Sequence, residues 1–229
     1  MRLIVVIPAY NEEETLKKVL DSVKKAAPSA GIVVVDDGSK DRTYSIAAAE
    51  KAIVCRHLIN RGLGASLATG ITCALEEGAD IIVTFDADLQ HDAEDINRLI
   101  KPIRENSSDA VIGSRFLNKE DLARMPLVKK LGNSFLTFFT NKLGDLAISD
   151  SQSGLRAFNR RAAERLIIIC DRYEVSSEIL MILGRNNFRI TEIPMKALYD
   201  ERSIRKGTTI RSGIQIIVGL MLKKVGLKR

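Results

Sequence analysis

Hydrophobic and polar positions follow a repeating order along the first half of the chain. Four apolar runs of strand length, LIVVIP, IVVVDD, AIVCRHL and DIIVTF, each precede a longer stretch with apolar residues at helical spacing. The predicted helices cover residues 12–27, 41–51, 64–77 and 92–104. Short strands joined by helical crossovers form parallel sheets that are buried on both faces. The pattern therefore predicts an α/β domain with a mostly parallel central sheet flanked by helices.

The second half continues this order less regularly. DAVIGSR predicts a fifth strand, a helix is predicted over 127–143, and a polar loop follows at 149–153. After SGLRAFN, the pattern predicts helices near 161–169 and 176–185 and a strand in FRITEIPM. The sequence lacks internal repeats, and its one compositional break is a basic tail after Gly207. We therefore expect a catalytic domain over 1–207 and a separate terminal helix over 208–229.

Composition narrows the class of protein. A chain of 229 residues with 45% hydrophobic and 28% charged residues suits one sizeable folded domain. Its three cysteines, Cys55, Cys73 and Cys170, are widely spaced, which favours neither a disulfide framework nor a zinc site and suggests the reducing cytosol. The opening run MRLIVVIPAY is too short for a secretory signal or a membrane span, and we expect it to be the first strand.

The net charge of +6 is concentrated in the tail, where residues 201–229 contain eight basic residues and one acid. This segment has no aromatic residue to stack on bases, so a nucleic-acid partner is disfavoured. Its apolar residues recur at helical spacing: Ile210, Ile214, Ile217, Val218, Met221, Leu222 and Val225. We expect an amphipathic helix at the surface of a membrane with anionic headgroups. The competing interpretations are a helix packed against the domain and a segment that longer relatives continue into membrane spans.

Polar segments follow three of the predicted strands. PAYNEE follows the first, DDGSKD the second and DADLQH the fourth. Ligands of open parallel sheets bind at the carboxyl ends of strands, so one ligand can touch all three segments. Tyr10 offers a ring for a flat base, Asp36 or Asp37 can accept from a base N–H, and Ser39 and Asp41 are candidate helix caps.

FDADLQH carries the clearest chemistry. Asp86 and Asp88 are two residues apart, which in an extended segment places both carboxylates on one side, where they repel each other. Hard carboxylate oxygens together with a diphosphate suit Mg²⁺ or Mn²⁺, whose charge would remove the repulsion. Gln90 is expected to be a neutral hydrogen-bond partner, and His91 either extends the site or is only a surface residue.

The segment RGLGAS does not complete a dinucleotide fingerprint. Gly62 and Gly64 fit, but Leu67 stands where the third glycine is required. A Rossmann cofactor is therefore not expected, and these glycines are interpreted as letting a helix start close to the ligand.

Six segments, PAYNEE, VVVDDGSKD, NRGLGAS, FDADLQH, IGSR and DSQSGLRAF, occur in the order and spacing of glycosyltransferase family 2. Over about residues 1–205 the chain most resembles the family's polyprenyl-phosphate branch, typified by dolichyl-phosphate mannose synthases. The resemblance implies a GT-A type, Rossmann-like fold and an inverting, metal-dependent hexosyltransferase.

The resemblance also implies roles for individual residues. The nucleotide-binding set is Pro8, Tyr10, Glu12, Val35, Asp37, Asp86 and Ala87; the metal set is Asp86, Asp88 and Gln90; the catalytic set is Asp88, Gln90, Arg115 and Arg202; and the acceptor-phosphate set is Lys130, Ser134, Ser153, Arg156 and Lys206. The family's serine–lysine pair beyond the last arginine is replaced here by RKGTTIRSG, in which Arg205 or Lys206 is the expected substitute.

The implied reaction moves a hexose from GDP-mannose, or second from UDP-glucose, to a polyprenyl phosphate at the cytoplasmic face of a membrane. A phosphate is largely ionised at neutral pH, because its second pKa is about 6, and needs no general base. A hydroxyl acceptor on a glycan or protein would need one, such as Asp150 or Glu178.

Three competing functions belong to other classes of protein. The first is a haloacid-dehalogenase phosphatase, whose motif FDADLQ partly resembles, although Gln90 stands where that motif has threonine or valine. The second is a nucleotidyltransferase, but PAYNEE replaces the glycine-rich basic loop that such an enzyme has after its first strand. The third is a sugar-nucleotide-binding module without turnover, which the intact Asp86, Asp88 and Arg156 disfavour.

Overall fold

The computed structural model of the protein describes residues 1–118, 122–123, 125–172 and 174–196. The strands in this part of the chain are β1 (Leu3–Ala9), β2 (Gly31–Asp36), β3 (Ile53–Arg56), β4 (Ile81–Thr84), β5 (Ala110–Ser114), β6 (Arg156–Asn159) and β7 (Ile190–Pro194). The helices are α1 (Leu16–Ala26), α2 (Thr43–Ala49), α3 (Leu63–Glu76), α4 (Asp95–Arg104), α5 (Leu127–Gly144), α6 (Arg160–Ala163) and α7 (Val175–Arg185).

The seven strands form one sheet in the order β3-β2-β1-β4-β6-β5-β7. All neighbouring pairs are parallel except those of β6, which runs antiparallel to both β4 and β5. The predicted mostly parallel sheet with flanking helices is confirmed.

The sheet is buried on both faces, as β1 illustrates. Val5 and Ile7 belong to the core cluster that includes α1 and α4, whereas Ile4 and Val6 belong to the cluster that includes α3 and α7. All four side chains are fully buried, and burying each contributes about 1.5–3 kcal/mol. Helix α3 approaches β1 closely at Gly70, where a Cβ atom would lie 2.3 Å from Val6 Cγ1.

The predicted helix over 161–169 is wrong, because α6 ends at Ala163. Beyond it the backbone finds partners outside a helix: the N–H groups of Ile169 and Cys170 donate to the Glu178 carboxylate at 3.2 and 2.8 Å. Three consecutive β-branched isoleucines in this segment also have lower helix propensity. Tertiary contacts therefore replace the helical hydrogen bonds here.

Gly62 and Gly64 serve a close approach of two backbones. Helix α3 begins at Leu63, as expected, but a Cβ on Gly64 would lie 1.7 Å from the carbonyl oxygen of Cys170. Gly62 has φ 99°, a conformation that favours glycine. The close neighbour of both glycines is the segment around Cys170, and the expectation that they let a helix start close to the ligand stays a prediction.

No helix within the described ranges is long and apolar enough to cross a membrane. The expected domain boundary at residue 207 and the expected helix over 208–229 lie outside the described residues.

Candidate active site

The segments PAYNEE, DDGSKD and DADLQH lie at one edge of the sheet, because β2, β1 and β4 are adjacent and parallel. The antiparallel β6 adds a fourth segment to this edge. Arg156, at the amino end of β6, pairs with Thr84 at the carboxyl end of β4 and with Ile112 of β5. The polar loop before β6 is thereby brought beside the acidic motif.

Side chains of the second segment and of the first residue of α2 hold the first segment in place. The backbone N–H of Asn11 donates to Ser39 Oγ at 2.9 Å, and that of Glu12 donates to Thr43 Oγ1 at 2.8 Å. Helix α1 begins at Leu16 rather than near residue 12. The two loops that are expected to face a nucleotide therefore form one hydrogen-bonded unit.

The acidic pair is held by its own motif. Asp86 Oδ2 lies 2.9 Å from Nε2 of His91. Asp88 accepts from both nitrogens of Gln90: Oδ1 from the backbone N–H at 3.0 Å and Oδ2 from the side-chain amide at 2.6 Å. Leu89 between them has φ 63°, so the chain turns sharply at this point.

The pKa values of the two carboxylates are shifted in opposite directions. Burial opposes ionisation of Asp86, but the hydrogen bond from His91 and the positive charges of Arg156 and Arg115 place its pKa below the ordinary value. Burial, followed by the negative charge of Asp86, raises the pKa of Asp88 to about 6. A second negative charge is therefore costly here, and a cation beside the pair would relieve that cost.

These side chains fit a divalent ion that shares its ligands with a diphosphate. No group of three or more His, Cys, Asp or Glu side chains in the described ranges is arranged to hold a metal by itself. Asp86, Asp88 and the amide oxygen of Gln90 offer the few hard oxygens that Mg²⁺ or Mn²⁺ takes from a protein when phosphates supply the others.

Two arginines lie behind the acidic pair. Arg115 forms a two-pronged ion pair with the fully buried Asp150, and Arg156, 2% exposed, donates from Nη2 to the carbonyl of Ser151 at 3.0 Å. Burial lowers the pKa of Arg156 to about 10, although the charges of Asp150 and Asp86 oppose the shift. Acids and bases therefore alternate through this interior, from Asp86 through Arg156 and Asp150 to Arg115.

The residues predicted to bind the nucleotide are only partly exposed. Tyr10 is 42% exposed, and Pro8 and Glu12 are half-buried. Of the other predicted members, Val35, Asp37 and Ala87 are buried, Val35 and Ala87 within the core clusters, whereas the Asp86 side chain is 35% exposed.

Asp37 is also buried, and its carboxylate is engaged inside the protein. Oδ1 accepts from the Arg61 backbone N–H at 2.9 Å and lies 2.7 Å from His57 Nδ1, while Oδ2 accepts from the Gly62 N–H at 2.8 Å. In this structure Asp37 therefore shapes the loop that follows β3.

The residues predicted to bind the acceptor phosphate fall into two places. Lys130 and Ser134 are on α5, where Ser134 is exposed. Ser153 and Arg156 are buried beside the acidic motif, so the structure does not bring their side chains to the surface. Arg202 and Lys206 lie outside the described residues.

Three residues at the site were not assigned from the sequence. His91 is 8% exposed, which corrects its interpretation as a surface residue. Lys129 has a lowered pKa because of burial and the charge of Arg115, opposed by Asp88, so it lies near both.

Glu192 of β7 accepts from the backbone N–H groups of Ser149 and Asp150 at 2.7 and 3.1 Å. An acid in the middle of a predicted strand was the signal that could have pointed to Glu192.

Comparison with known proteins agrees with this geometry. The model of the family described as glycosyl transferase family 2 matches residues 4–167. The chain is 40% identical to a UDP-N-acetylglucosamine–dolichyl-phosphate N-acetylglucosaminyltransferase of Methanococcus voltae, covering 98% of this chain and 96% of that protein. It is 29% identical to a polyprenol monophosphomannose synthase of Mycolicibacterium smegmatis, covering 93% of this chain and 84% of that one.

Among solved structures, glucosyl-3-phosphoglycerate synthase of Mycobacterium tuberculosis, in complex with Mn²⁺, uridine diphosphate and phosphoglyceric acid, superposes with a TM-score of 0.73. The match covers 98% of this chain and 78% of that chain at 21% identity. It confirms the predicted GT-A type fold.

Proposed function

Because the chain belongs to glycosyltransferase family 2, we propose that it transfers a sugar from a nucleotide-diphosphate donor to a polyprenyl phosphate. The observation that carries this proposal is the placement of Asp86 and Asp88 beside Arg115 and Lys129 at one sheet edge. The acids suit the cation that accompanies a diphosphate, and the bases suit a second phosphate. One site thus offers charges that suit both anionic substrates: the acids through the cation of the donor diphosphate, and the bases directly to the acceptor phosphate.

We assign the donor side to the acidic motif. Asp86, Asp88 and Gln90 would hold Mg²⁺ or Mn²⁺, which when bound stabilises the negative charge on the diphosphate that leaves. Tyr10 and the loop shaped by Asp37 would face the base and ribose. Arg202 remains the predicted arginine near both phosphates. The names of the two related transferases include UDP-N-acetylglucosamine, dolichyl phosphate or polyprenol, which supports this class of donor and acceptor.

The state of the two possible general bases is the reason for preferring a phosphate acceptor to a hydroxyl acceptor. Asp150, one possible base, is 0% exposed and pairs with Arg115. Glu178, the other, is 5% exposed and accepts from the backbone N–H groups of Ile169 and Cys170. Both carboxylates are therefore engaged in structural contacts, whereas a phosphate nucleophile needs no base.

The chemistry that follows is a single displacement. An oxygen of the acceptor phosphate forms a bond to the anomeric carbon, the bond from that carbon to the donor diphosphate breaks, and a nucleoside diphosphate leaves. The configuration at the anomeric carbon is inverted. Arg115 and Lys129 orient the acceptor and screen its charge as it approaches.

The sugar is the finer part of the proposal. The sequence alone suggested mannose from GDP-mannose, with glucose from UDP-glucose second. The 40% identity to an N-acetylglucosaminyltransferase over nearly the whole chain favours UDP-N-acetylglucosamine. The mannose synthase at 29% identity makes GDP-mannose the second candidate.

Helix α5 supports a peripheral position at the surface of a membrane, of which the cytoplasmic face is the predicted side. Leu127, Leu131, Phe135 and Phe138 are between 54% and 74% exposed and follow one another at spacings of four, four and three residues. Lys130 and Ser134 lie three residues beyond Leu127 and Leu131, so the predicted acceptor-binding side chains border this apolar face. A lipid phosphate at a membrane surface would meet both features together.

The test is transfer by the full chain to polyprenyl phosphate with Mn²⁺ and, in separate reactions, UDP-N-acetylglucosamine, GDP-mannose or UDP-glucose. We expect a lipid that carries one phosphate and one sugar, identified by mass spectrometry, with inverted configuration by NMR. Transfer to a glycan or peptide hydroxyl in preference to the lipid would overturn the acceptor assignment. Nucleotide binding without transfer to any acceptor would favour the binding module.

A further inference from the structure

The carboxylate of Asp86 has three neighbours, which are His91, Gly154 and Arg156. His91 Nε2 lies 2.9 Å from Oδ2. The backbone of Gly154 lies against the carboxylate, and the positive charge of Arg156 stabilises its ionised form. Asp88 instead contacts Gln90, a residue of the same short turn.

His91 is fixed by packing as well as by this contact. Its side chain is 6% exposed, and its ring lies edge-on to Phe85, with centroids 5.6 Å apart and planes at 70°. Nδ1 is buried without a hydrogen-bond partner in the described part of the chain. The tautomer with hydrogen on Nε2 satisfies both observations, because it donates to Asp86 and leaves a bare lone pair at Nδ1.

Gly154 supplies the opposite wall. A Cβ atom at this position would lie 2.1 Å from Asp86 Oδ2, so any other residue would displace the carboxylate. The Gly154 carbonyl accepts from Thr84 Oγ1 at 2.7 Å, which fixes this backbone to the end of β4. The carboxylate therefore has one arrangement between the imidazole and the glycine backbone.

One oxygen of Asp86 remains available in this arrangement. Oδ2 faces His91, Oδ1 has no hydrogen bond within the described ranges, and the side chain is 35% exposed. We infer that His91 is a positioning residue, which holds Asp86 so that Oδ1 faces the divalent ion that accompanies the donor. This inference rests on the proposed function and adds to it a residue that acts through Asp86.

The experiment measures Mn²⁺ affinity in the presence of saturating UDP by electron paramagnetic resonance of the free ion, independently of turnover. We expect His91→Leu, which keeps the bulk and loses the donor, to weaken Mn²⁺ binding by about tenfold or more, as is usual when the partner of a metal ligand is removed. His91→Gln can place an amide N–H near the position of Nε2 and should restore affinity to within about threefold of the unmodified protein. Gly154→Ala should weaken binding as His91→Leu does, because it displaces the same carboxylate.

Ser108→Ala is the matched control. Ser108 is 1% exposed, and its hydroxyl contacts Thr191 Oγ1 at 2.6 Å just before β5, at the opposite edge of the sheet. The variant therefore loses the hydrogen bond of a buried hydroxyl without touching the site, and Mn²⁺ affinity should not change.

Equal Mn²⁺ affinity in His91→Leu and the unmodified protein would overturn the inference alone. His91→Gln binding Mn²⁺ no better than His91→Leu would also overturn it, because packing rather than the hydrogen-bond donor would then be responsible. An equal loss in Ser108→Ala would overturn it too, because the loss would then not depend on a contact at the site. The proposed function, and the inference with it, would be overturned if the unmodified protein bound no Mn²⁺ in the presence of UDP, GDP, UDP-N-acetylglucosamine, GDP-mannose or UDP-glucose.

Discussion

Arg115 and Asp150 form a two-pronged ion pair beneath the candidate acceptor site. Nε of Arg115 lies 2.7 Å from Oδ2 and Nη2 lies 2.8 Å from Oδ1, and Asp150 is fully buried. Asp150 also accepts from the backbone N–H of Gln152 at 3.1 Å, while its own N–H donates to Glu192 at 3.1 Å. The direction of the arginine side chain is therefore set by the loop before β6.

Arg115→Lys should impair acceptor use more than donor use. A lysine retains the charge but cannot form two parallel hydrogen bonds with a carboxylate, so it would not be held in the same direction. We expect the KM for polyprenyl phosphate to rise by about tenfold, with the KM for the donor nearly unchanged. Steady-state kinetics with each substrate varied in turn measures the split.

Arg160→Lys is the control for that variant, since Arg160 pairs with Glu164 on an exposed surface away from the sheet edge. Its kinetics should equal those of the unmodified protein. An equal rise in both KM values for Arg115→Lys would contradict a role at the acceptor side.

Asp88→Ala should abolish sugar transfer while leaving the fold intact. The pKa of Asp88 is raised to about 6 by burial and by the charge of Asp86, so at neutral pH its ionised form is unfavourable in the folded protein. Removing it should leave the melting temperature unchanged or slightly higher, whereas the donor loses a carboxylate that holds its ion. Transfer assays and thermal unfolding measure the two effects separately.

Asp145→Asn is the comparison for Asp88→Ala. Asp145 is an exposed carboxylate at the end of α5 with φ 51°, a conformation that asparagine adopts readily. Turnover should be unaffected. Undiminished transfer by Asp88→Ala would refute the assignment of the acidic motif to the donor.

The apolar face of α5 should contribute to membrane binding. Replacing both Phe135 and Phe138 by serine removes two exposed rings, each of which would add apolar area buried in the headgroup region. We expect binding to vesicles with anionic lipids to fall by about tenfold or more in a flotation assay. The double change Ile167→Ser and Ile169→Ser removes side chains that are 74% and 68% exposed elsewhere, and it should not alter flotation.

Equal losses in the two double variants would mean that exposed apolar area, rather than the α5 face, governs binding. A truncation after Gly207 tests the basic tail separately. If the truncated chain floats as well as the full one, the tail is not needed.

The sequence was most informative where local pattern decides structure. The alternation of strands and helices from β1 to β5 follows from the spacing of apolar residues, and the acidic motif lies at a strand end because parallel strands share their direction. The same reasoning placed FDADLQH, PAYNEE and DDGSKD at one edge, which the structure confirms.

Local pattern was least informative for β6 and the residues around it. A strand of four residues carries no signal for which neighbours it will pair with, and its insertion between β4 and β5 depends on contacts far apart in sequence. That insertion buries Arg156, which the sequence suggested for a substrate-facing loop. It also brings Gly154 against Asp86, a contact that no spacing rule predicts.

A final prediction concerns stability in acid. Asp109, just before β5, accepts from the backbone N–H and Nε of Arg189 at 3.0 and 3.1 Å and from the side-chain amide of Asn159 at 3.0 Å. The hydrogen bonds from Arg189, opposed by burial, lower the pKa of Asp109 to about 2. The ionised carboxylate thus joins the ends of β5, β6 and β7.

Because the folded-state pKa lies below the ordinary value of 3.8, this contribution is fully present above about pH 4 and is lost as the pH falls toward about 2. At neutral pH, Asp109→Asn should lower the free energy of unfolding by about 1–2 kcal/mol, less than the full shift implies because Arg189 is half exposed. Urea unfolding should show this difference narrowing between about pH 4 and pH 2. Asp21→Asn, which removes an exposed pair with Lys17, should change stability little at any pH. A difference for Asp109→Asn that stays constant down to about pH 2 would show that the carboxylate's charge is not what stabilises these strand ends.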